Sequence, residues 1–256
     1  MTALRSTAFN AVFYLWSLTV HLVCLPLLLL PYRVTQWAGR LWVRSVLALL
    51  AGLCGLRHEI RGRENLPKGA FILASKHQSA WDTLIYSQIL RDAAYVLKKE
   101  LVWFPLFGVF LLKSGIVPVD RAGGAKALRA MVAAARRFTE AGRPLVIFPE
   151  GTRTAPGAKR PYHPGVAALY RQLDVPVVPV ALNSGLYWGR KAALKKPGTI
   201  VLEILPPIPP GLPRAKFMAE LEERIETASA RLAGLPAATN ESSRRSTGEE
   251  EAAEVP

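Results

Sequence analysis

Between Ser6 and Tyr32 the chain carries no charged residue, and the heart of that run, residues 11–30, is dominated by Leu, Val, Phe and Trp. An apolar helix needs roughly 20 residues to cross the hydrocarbon of a bilayer, and this run supplies them. His21 and Pro26 interrupt it. A cleaved signal peptide has a shorter apolar region that ends at a small-x-small site, whereas this run closes on a stretch of Leu and then Pro31. A second apolar stretch, residues 46–56, lies between Arg44 and Arg57 and suits an interfacial helix better than a second crossing. Residues 1–56 are therefore expected to form an N-terminal membrane-associated helical anchor, with Trp16, Trp37 and Trp42 available at headgroup level. Arg33, Arg40, Arg44, Arg57, Arg61 and Arg63 follow the run, so the rest of the chain is expected to face the cytoplasm at the inner membrane.

The charge balance narrows the partners. The 256 residues have a formal net charge of +14, and half of them are hydrophobic, which excludes a disordered chain. Acid is concentrated after Pro236, where Glu241, Glu249, Glu250, Glu251 and Glu254 face Arg244 and Arg245, so residues 236–256 read as a disordered acidic tail and the basic charge belongs to the body. An anionic partner is implied: nucleic acid, an anionic membrane or a phosphorylated substrate. No aromatic-interleaved basic patch or nucleic-acid module is visible, which argues against nucleic acid. The two cysteines, Cys24 and Cys54, sit in apolar runs and exclude a disulfide scaffold.

From residue 57 the pattern changes to short β-rich runs at 71–74, 94–97, 115–119, 145–148, 177–182 and 199–205, separated by helical stretches, the clearest over 125–140 and a closing one over 220–233. Such alternation predicts an α/β fold, a mixed and largely parallel sheet flanked by helices, over residues 57–235.

Two blocks carry chemistry, each at the end of an apolar strand where ligands of open α/β sheets collect. In the first, His77 precedes Asp82 by five positions. The two cannot meet on one continuous helix, but they can across a turn if His77 lies in the loop and Asp82 in the first turn of the next helix. The carboxylate then fixes the imidazole tautomer and leaves the other nitrogen as a base. Ser79 and Asp82 also fit a capping box, in which Asp82 only satisfies a backbone donor. In the second block, Phe148-Pro149-Glu150-Gly151-Thr152-Arg153, the glycine permits a tight turn with exposed amides and Arg153 offers a planar fork for phosphate, unless Glu150 and Arg153 simply pair. His21, His58 and His163 lack such a partner, and no His, Cys, Asp and Glu set has zinc-site spacing, so no metal is expected. No nucleotide-binding fingerprint or Gly-x-Ser-x-Gly elbow is present.

Together with Gly115-Ile116-Val117-Pro118-Val119-Asp120-Arg121 and Val175-Pro176-Val177-Val178-Pro179-Val180, these blocks resemble the glycerolipid acyltransferase family, most closely its bacterial 1-acylglycerol-3-phosphate acyltransferase branch, over roughly residues 57–206. Two positions depart from its usual pattern: Lys76 stands where many members have Asn, and Tyr162-His163-Pro164-Gly165 replaces a more common Phe-Lys-x-Gly. The resemblance implies direct transfer of a fatty acyl group to the sn-2 hydroxyl of lysophosphatidate in phospholipid biosynthesis, with His77 as base and Asp82 orienting it. Acyl-CoA or acyl carrier protein is the implied co-substrate, with no bound cofactor. It also implies that Arg121, Gly151, Thr152 and Arg153, with Lys98 or Lys99, meet the acceptor, and that Glu150 orients Arg153 or binds the glycerol. Glycerol 3-phosphate or another lysolipid would suit the same motifs, and a non-catalytic basic membrane-bound binding protein is the rival from a different class.

Overall fold

The computed structural model describes residues 1–120, 123–190 and 192–236. The uncharged N-terminal run is not one helix. The first helix, α1 (Thr2–Val23), ends at Cys24, and Pro26 sits in a single-turn helix over Leu25–Leu29, since proline cannot donate to a continuing helical ladder. The second, α2 (Tyr32–Cys54), starts after Pro31 and stops at Gly55, whose left-handed φ of +64° lets its N–H close on the Ala51 carbonyl at 3.1 Å. The apolar stretch at 46–56 is thus the second half of a longer helix. Among the described residues α2 is the helix long and apolar enough to cross a membrane, with a mean hydropathy of 1.3. Yet Val43, Val46, Leu47, Leu50 and Cys54 recur at helical spacing and are buried in one core with Trp81, Ile85 and Tyr86 of the body. Phe9 of α1 joins the same core.

The body is built on seven strands: β1 (Leu56–Arg61), β2 (Ile72–Ser75), β3 (Ala94–Lys98), β4 (Ile116–Val119), β5 (Leu145–Ile147), β6 (Val177–Leu182) and β7 (Gly198–Ile204). They form one sheet in the order β1-β7-β6-β2-β5-β3-β4, parallel throughout except where β6 meets β7. The mixed, largely parallel sheet expected from the sequence is present. One strand was not foreseen: in β1 only Leu56 is fully buried, so this edge strand lacks the apolar run that marks its neighbours.

Helices α3 (Trp81–Ile89), α4 (Phe107–Ser114), α5 (Gly124–Glu140), α6 (Pro164–Leu173) and α7 (Arg214–Leu232) complete the order. The last begins well before residue 220 because Pro213 caps its start. Strand residues alternate between the sheet's two faces. Leu73, Val146 and Val180 pack under α2 and α3, whereas Ile72, Ala74, Leu145 and Ile147 pack against α5, α6 and α7. The result is a three-layer sandwich with β2 near its centre.

Because α2 puts Val43, Val46, Leu47, Leu50 and Cys54 into the core above the sheet, truncating that face should destabilise the body rather than merely loosen an appendage. Leu50 is fully buried, so Leu50→Ala should lower unfolding stability by about 2–5 kcal/mol, measured by denaturant titration of the body's own tryptophan signal. A change close to zero would mean that α2 is not part of this core.

Candidate active site

Strands β2 and β5 are parallel neighbours, so the loops leaving Ser75 and Ile147 emerge side by side from their carboxyl ends. The main chains are joined there, Thr154 N–H donating to the His77 carbonyl at 2.8 Å, and the His77 ring stacks on Phe148 with centroids 4.1 Å apart. Helix α3 begins at Trp81, which puts Asp82 in its first turn and turns its carboxylate back to the loop.

Asp82 is fully buried and both its oxygens are used. Oδ2 accepts from His77 Nδ1 at 3.0 Å, from Gln78 N–H at 2.7 Å and from Ser79 N–H at 2.8 Å, while Oδ1 accepts from Ser184 Oγ at 2.6 Å. The two readings of the His-x4-Asp block are therefore not alternatives, since one carboxylate holds the loop's backbone donors and the imidazole together. A carboxylate can only accept, so Nδ1 carries the proton and Nε2 is left with its lone pair. The His77 side chain is 13% exposed, enough to meet a substrate and little enough to shed most water.

Glu150 does not reach substrate. Its side chain has no exposed surface; Oε1 lies 2.7 Å from Lys76 Nζ and Oε2 accepts the His77 N–H at 3.0 Å. Among the described residues no ion pair joins it to Arg153, so the expected orienting and glycerol-binding roles give way to one beneath the site. Gly151 is also structural: its φ is +62°, a Cβ there would stand 2.6 Å from the His163 ring, and its N–H is spent on the Phe148 carbonyl at 2.9 Å instead of being open to a ligand. Thr152 is partly exposed in the same turn. Arg153 lines a cavity of about 420 Å³ together with His77. Lys98 and Lys99 lie outside that lining, about half exposed and paired with Glu100 at 3.4 Å and Asp120 at 2.6 Å, although Leu97 and Leu101 on either side do line it. Arg121 falls outside the described residues.

Away from His77 and Arg153 the cavity is mostly apolar, walled by Val43 of α2, Leu84 of α3, Leu97 of β3 and Phe107, Phe110 and Leu111 of α4. Sequence reasoning did not find Ser184, the donor to Asp82 Oδ1, because a serine after a strand carries no signal of its own. Nor did it find Glu226, which lies 2.8 Å from Lys76 Nζ and accepts from Tyr162 Oη at 2.9 Å. A faint signal existed: Glu222 and Glu226 directly follow the buried Leu221 and Ile225 on α7. Burial and the Glu226 carboxylate push the Tyr162 phenol well above its ordinary range, so it stays a donor. Among the described residues no group of three His, Cys, Asp or Glu side chains could hold a metal ion.

A histidine whose Nδ1 is held by a buried carboxylate, sharing the lining of a mostly apolar cavity with an arginine, is an arrangement able to serve as a general base. Comparison with known proteins gives the family. The acyltransferase family profile matches residues 57–183. The chain is 34% identical over 199 residues to a 1-acyl-sn-glycerol-3-phosphate acyltransferase of Pseudomonas aeruginosa, covering 77% of each chain. It is 33% identical over 184 residues to a plant protein of the same name from Limnanthes alba, covering 71% of this chain and 65% of that one. The crystal structure of the 1-acyl-sn-glycerophosphate acyltransferase PlsC from Thermotoga maritima shares the fold, with a TM-score of 0.74 over 91% of this chain and 98% of that one, at 21% identity. The chain belongs to this acyltransferase family.

In Asp82→Asn the amide oxygen can keep the three N–H donors while the amide nitrogen turns to Ser184 Oγ, a hydroxyl that can also accept. The contacts persist, but the charge that strengthens them and stabilises the imidazolium is lost. Activity should fall by about 10² to 10⁴-fold, as for other carboxylates that orient a catalytic histidine, with a measurable loss of melting temperature. Wild-type turnover in the folded Asn variant would show that Asp82 only caps α3.

Proposed function

We propose that the protein moves a fatty acyl group from an acyl thioester to the sn-2 hydroxyl of 1-acyl-sn-glycerol 3-phosphate, making phosphatidic acid. The observation that carries this reading is that His77, held by Asp82, and Arg153 line the same mostly apolar cavity. His77 Nε2 takes the hydroxyl proton as that oxygen attacks the thioester carbonyl; the tetrahedral adduct collapses, the C–S bond breaks, and the imidazolium returns its proton to the departing thiolate. Asp82 holds the imidazolium while it is charged. Arg153 grips the phosphomonoester through its fork, and the apolar walls take an acyl chain. The donor is an acyl-CoA or an acyl carrier protein thioester, and no bound cofactor takes part.

The test is thiol release that depends on lysophosphatidate. His77→Ala should lower kcat by about 10² to 10⁴-fold. Arg153→Lys should keep more activity than Arg153→Ala, and both should lose more kcat/KM on lysophosphatidate than on a matched acceptor without the phosphomonoester. Equal losses on both acceptors would remove Arg153 from the phosphate site, and a fully active His77→Ala would remove the base.

The membrane is part of the same reading. Leu15, Leu18 and Leu22 of α1 and Trp37 and Leu41 of α2 are exposed, and so are Trp103, Phe104 and Leu112 in and before α4. Since α2 packs on both α1 and α4, the helices that carry these exposed apolar side chains are neighbours. A third of the apolar window of α2 is buried against the protein, so this face enters one leaflet in preference to spanning two. The arginine-rich body then lies on the cytoplasmic surface of the inner membrane. Trp103 is 82% and Phe104 60% exposed, so Trp103→Ser with Phe104→Ser should leave the melting temperature unchanged. It should weaken partition onto anionic phosphatidylglycerol vesicles about tenfold or more in a flotation assay, whereas unchanged flotation would exclude this surface from lipid contact.

A further inference from the structure

Lys76 is the residue before the base, and its side chain runs away from the cleft into the contact between the sheet and α7. There it is 2% exposed and meets three carboxylate oxygens: Glu150 Oε1 at 2.7 Å and both oxygens of Glu226 at 2.8 Å. The second oxygen of Glu150 accepts the main-chain N–H of His77 at 3.0 Å. Tyr162 Oη secures Glu226 from the segment before α6 at 2.9 Å. A continuous series of charge-assisted bonds thus runs from the last helix, through Lys76 and Glu150, to the peptide that bears the imidazole. Asp82 grips the ring from one side, and this series grips the backbone from the other.

We propose that Lys76 and Glu226 are positioning residues for the acyl transfer, holding Glu150 where it fixes the main chain of His77. The proposal rests on His77 being the base. Neither side chain touches the cavity; both act through Glu150.

The physical requirement is charge balance in a dry place. Glu150 from the β5 loop, with no exposed side-chain surface, and Glu226 from α7, 16% exposed, share one ammonium. Without it two carboxylates face each other in a largely dry place, which favours a proton on one of them. The groups around them are Glu222 on α7, Tyr162 and Lys159. Burial and Glu226 already push the Glu222 carboxyl above its ordinary range, while Lys159 and Lys76 pull it back. In a Lys76→Met protein the shared proton leaves as pH rises, the carboxylates repel, and Glu150 loses its hold on His77. Activity of the variant relative to wild type should therefore fall toward alkaline pH.

The experiment uses the full chain in lipid vesicles and measures kcat, KM for lysophosphatidate and melting temperature at about pH 6 and about pH 8, on either side of the ordinary imidazole range. His77→Ala is the reference and should lose at least about 10²-fold in kcat at both. Lys76→Met should lose about fivefold at the lower pH and about thirtyfold at the higher, within the cost of a small misplacement of a catalytic group, with KM unchanged. Adding Glu226→Gln to Lys76→Met removes the repulsion, and kcat should recover to within about fivefold of wild type with the pH difference gone. Glu226→Gln alone leaves one cation to one carboxylate; it should keep its melting temperature and lose about threefold to fivefold in kcat with KM unchanged. That last variant decides the matter by itself if Lys76→Met does not fold. Wild-type kcat in Glu226→Gln, or a Lys76→Met enzyme that is stable and equally active at both pH values, would overturn the proposal and leave the network a purely structural buried ion cluster. A fully active His77→Ala would instead overturn the assignment of the base.

Discussion

Asp82 is a carboxylate with no exposed surface, and everything at the mouth of the cavity depends on how its burial is made tolerable. An unpaired charge in that position costs several kcal/mol. Four donors offset it, and bonds to a charged acceptor are worth roughly 1.5–3 kcal/mol each. Three of them come from consecutive residues, His77, Gln78 and Ser79, so the loop after β2 has to curl around the carboxylate. The fourth, Ser184, comes from beyond β6, 102 positions further along the chain. The histidine is therefore not placed by its own packing alone; it is one of the groups that the buried charge gathers.

The sheet makes this gathering possible. β2 lies between β5 and β6, and the carboxyl ends of all three supply the residues that converge: His77 after β2, Phe148 and Glu150 after β5, Ser184 after β6. Alternation along β2 and just beyond it sends successive side chains to opposite sides. Lys76 consequently descends toward α7 while His77 faces the cavity. The same peptide thus joins a buried ion cluster on one side of the sheet to the reacting side chain on the other.

The apolar N-terminal helices serve two environments at once. Their inner faces complete the core above the sheet and wall the cavity, and their outer faces, with Trp103 and Phe104, form the surface read here as the membrane face. On the proposed reading, an acyl chain leaving a bilayer exchanges one apolar medium for another, which keeps the cost of moving it small.

Much of this was legible in the chain. The β-rich runs marked six of the seven strands, most plainly β2, β5 and β6, which are buried along their whole length; the edge strand β1, with only Leu56 buried, carried no such run. The pairing of His77 with Asp82 followed from a spacing too wide for one helix turn and right for a loop entering one. Pro26 already interrupts the uncharged run in the sequence; what did not follow is that the second helix starts as early as Tyr32, so that the apolar stretch after Arg44 is only its second half. Local order sets Glu150 close to Arg153, to orient it or to bind the glycerol, and does not show that its side chain turns inward to Lys76. Local order alone determined which residues could be base, partner and phosphate ligand, since those roles depend on chemical type and near spacing. Only the tertiary structure decided that Glu150 turns inward, that Ser184 completes the shell of Asp82, and that Glu226, 150 positions from Lys76, shares its charge. These are contacts between buried polar groups distant in the chain, and a buried charge is satisfied by whichever partner the fold brings near it.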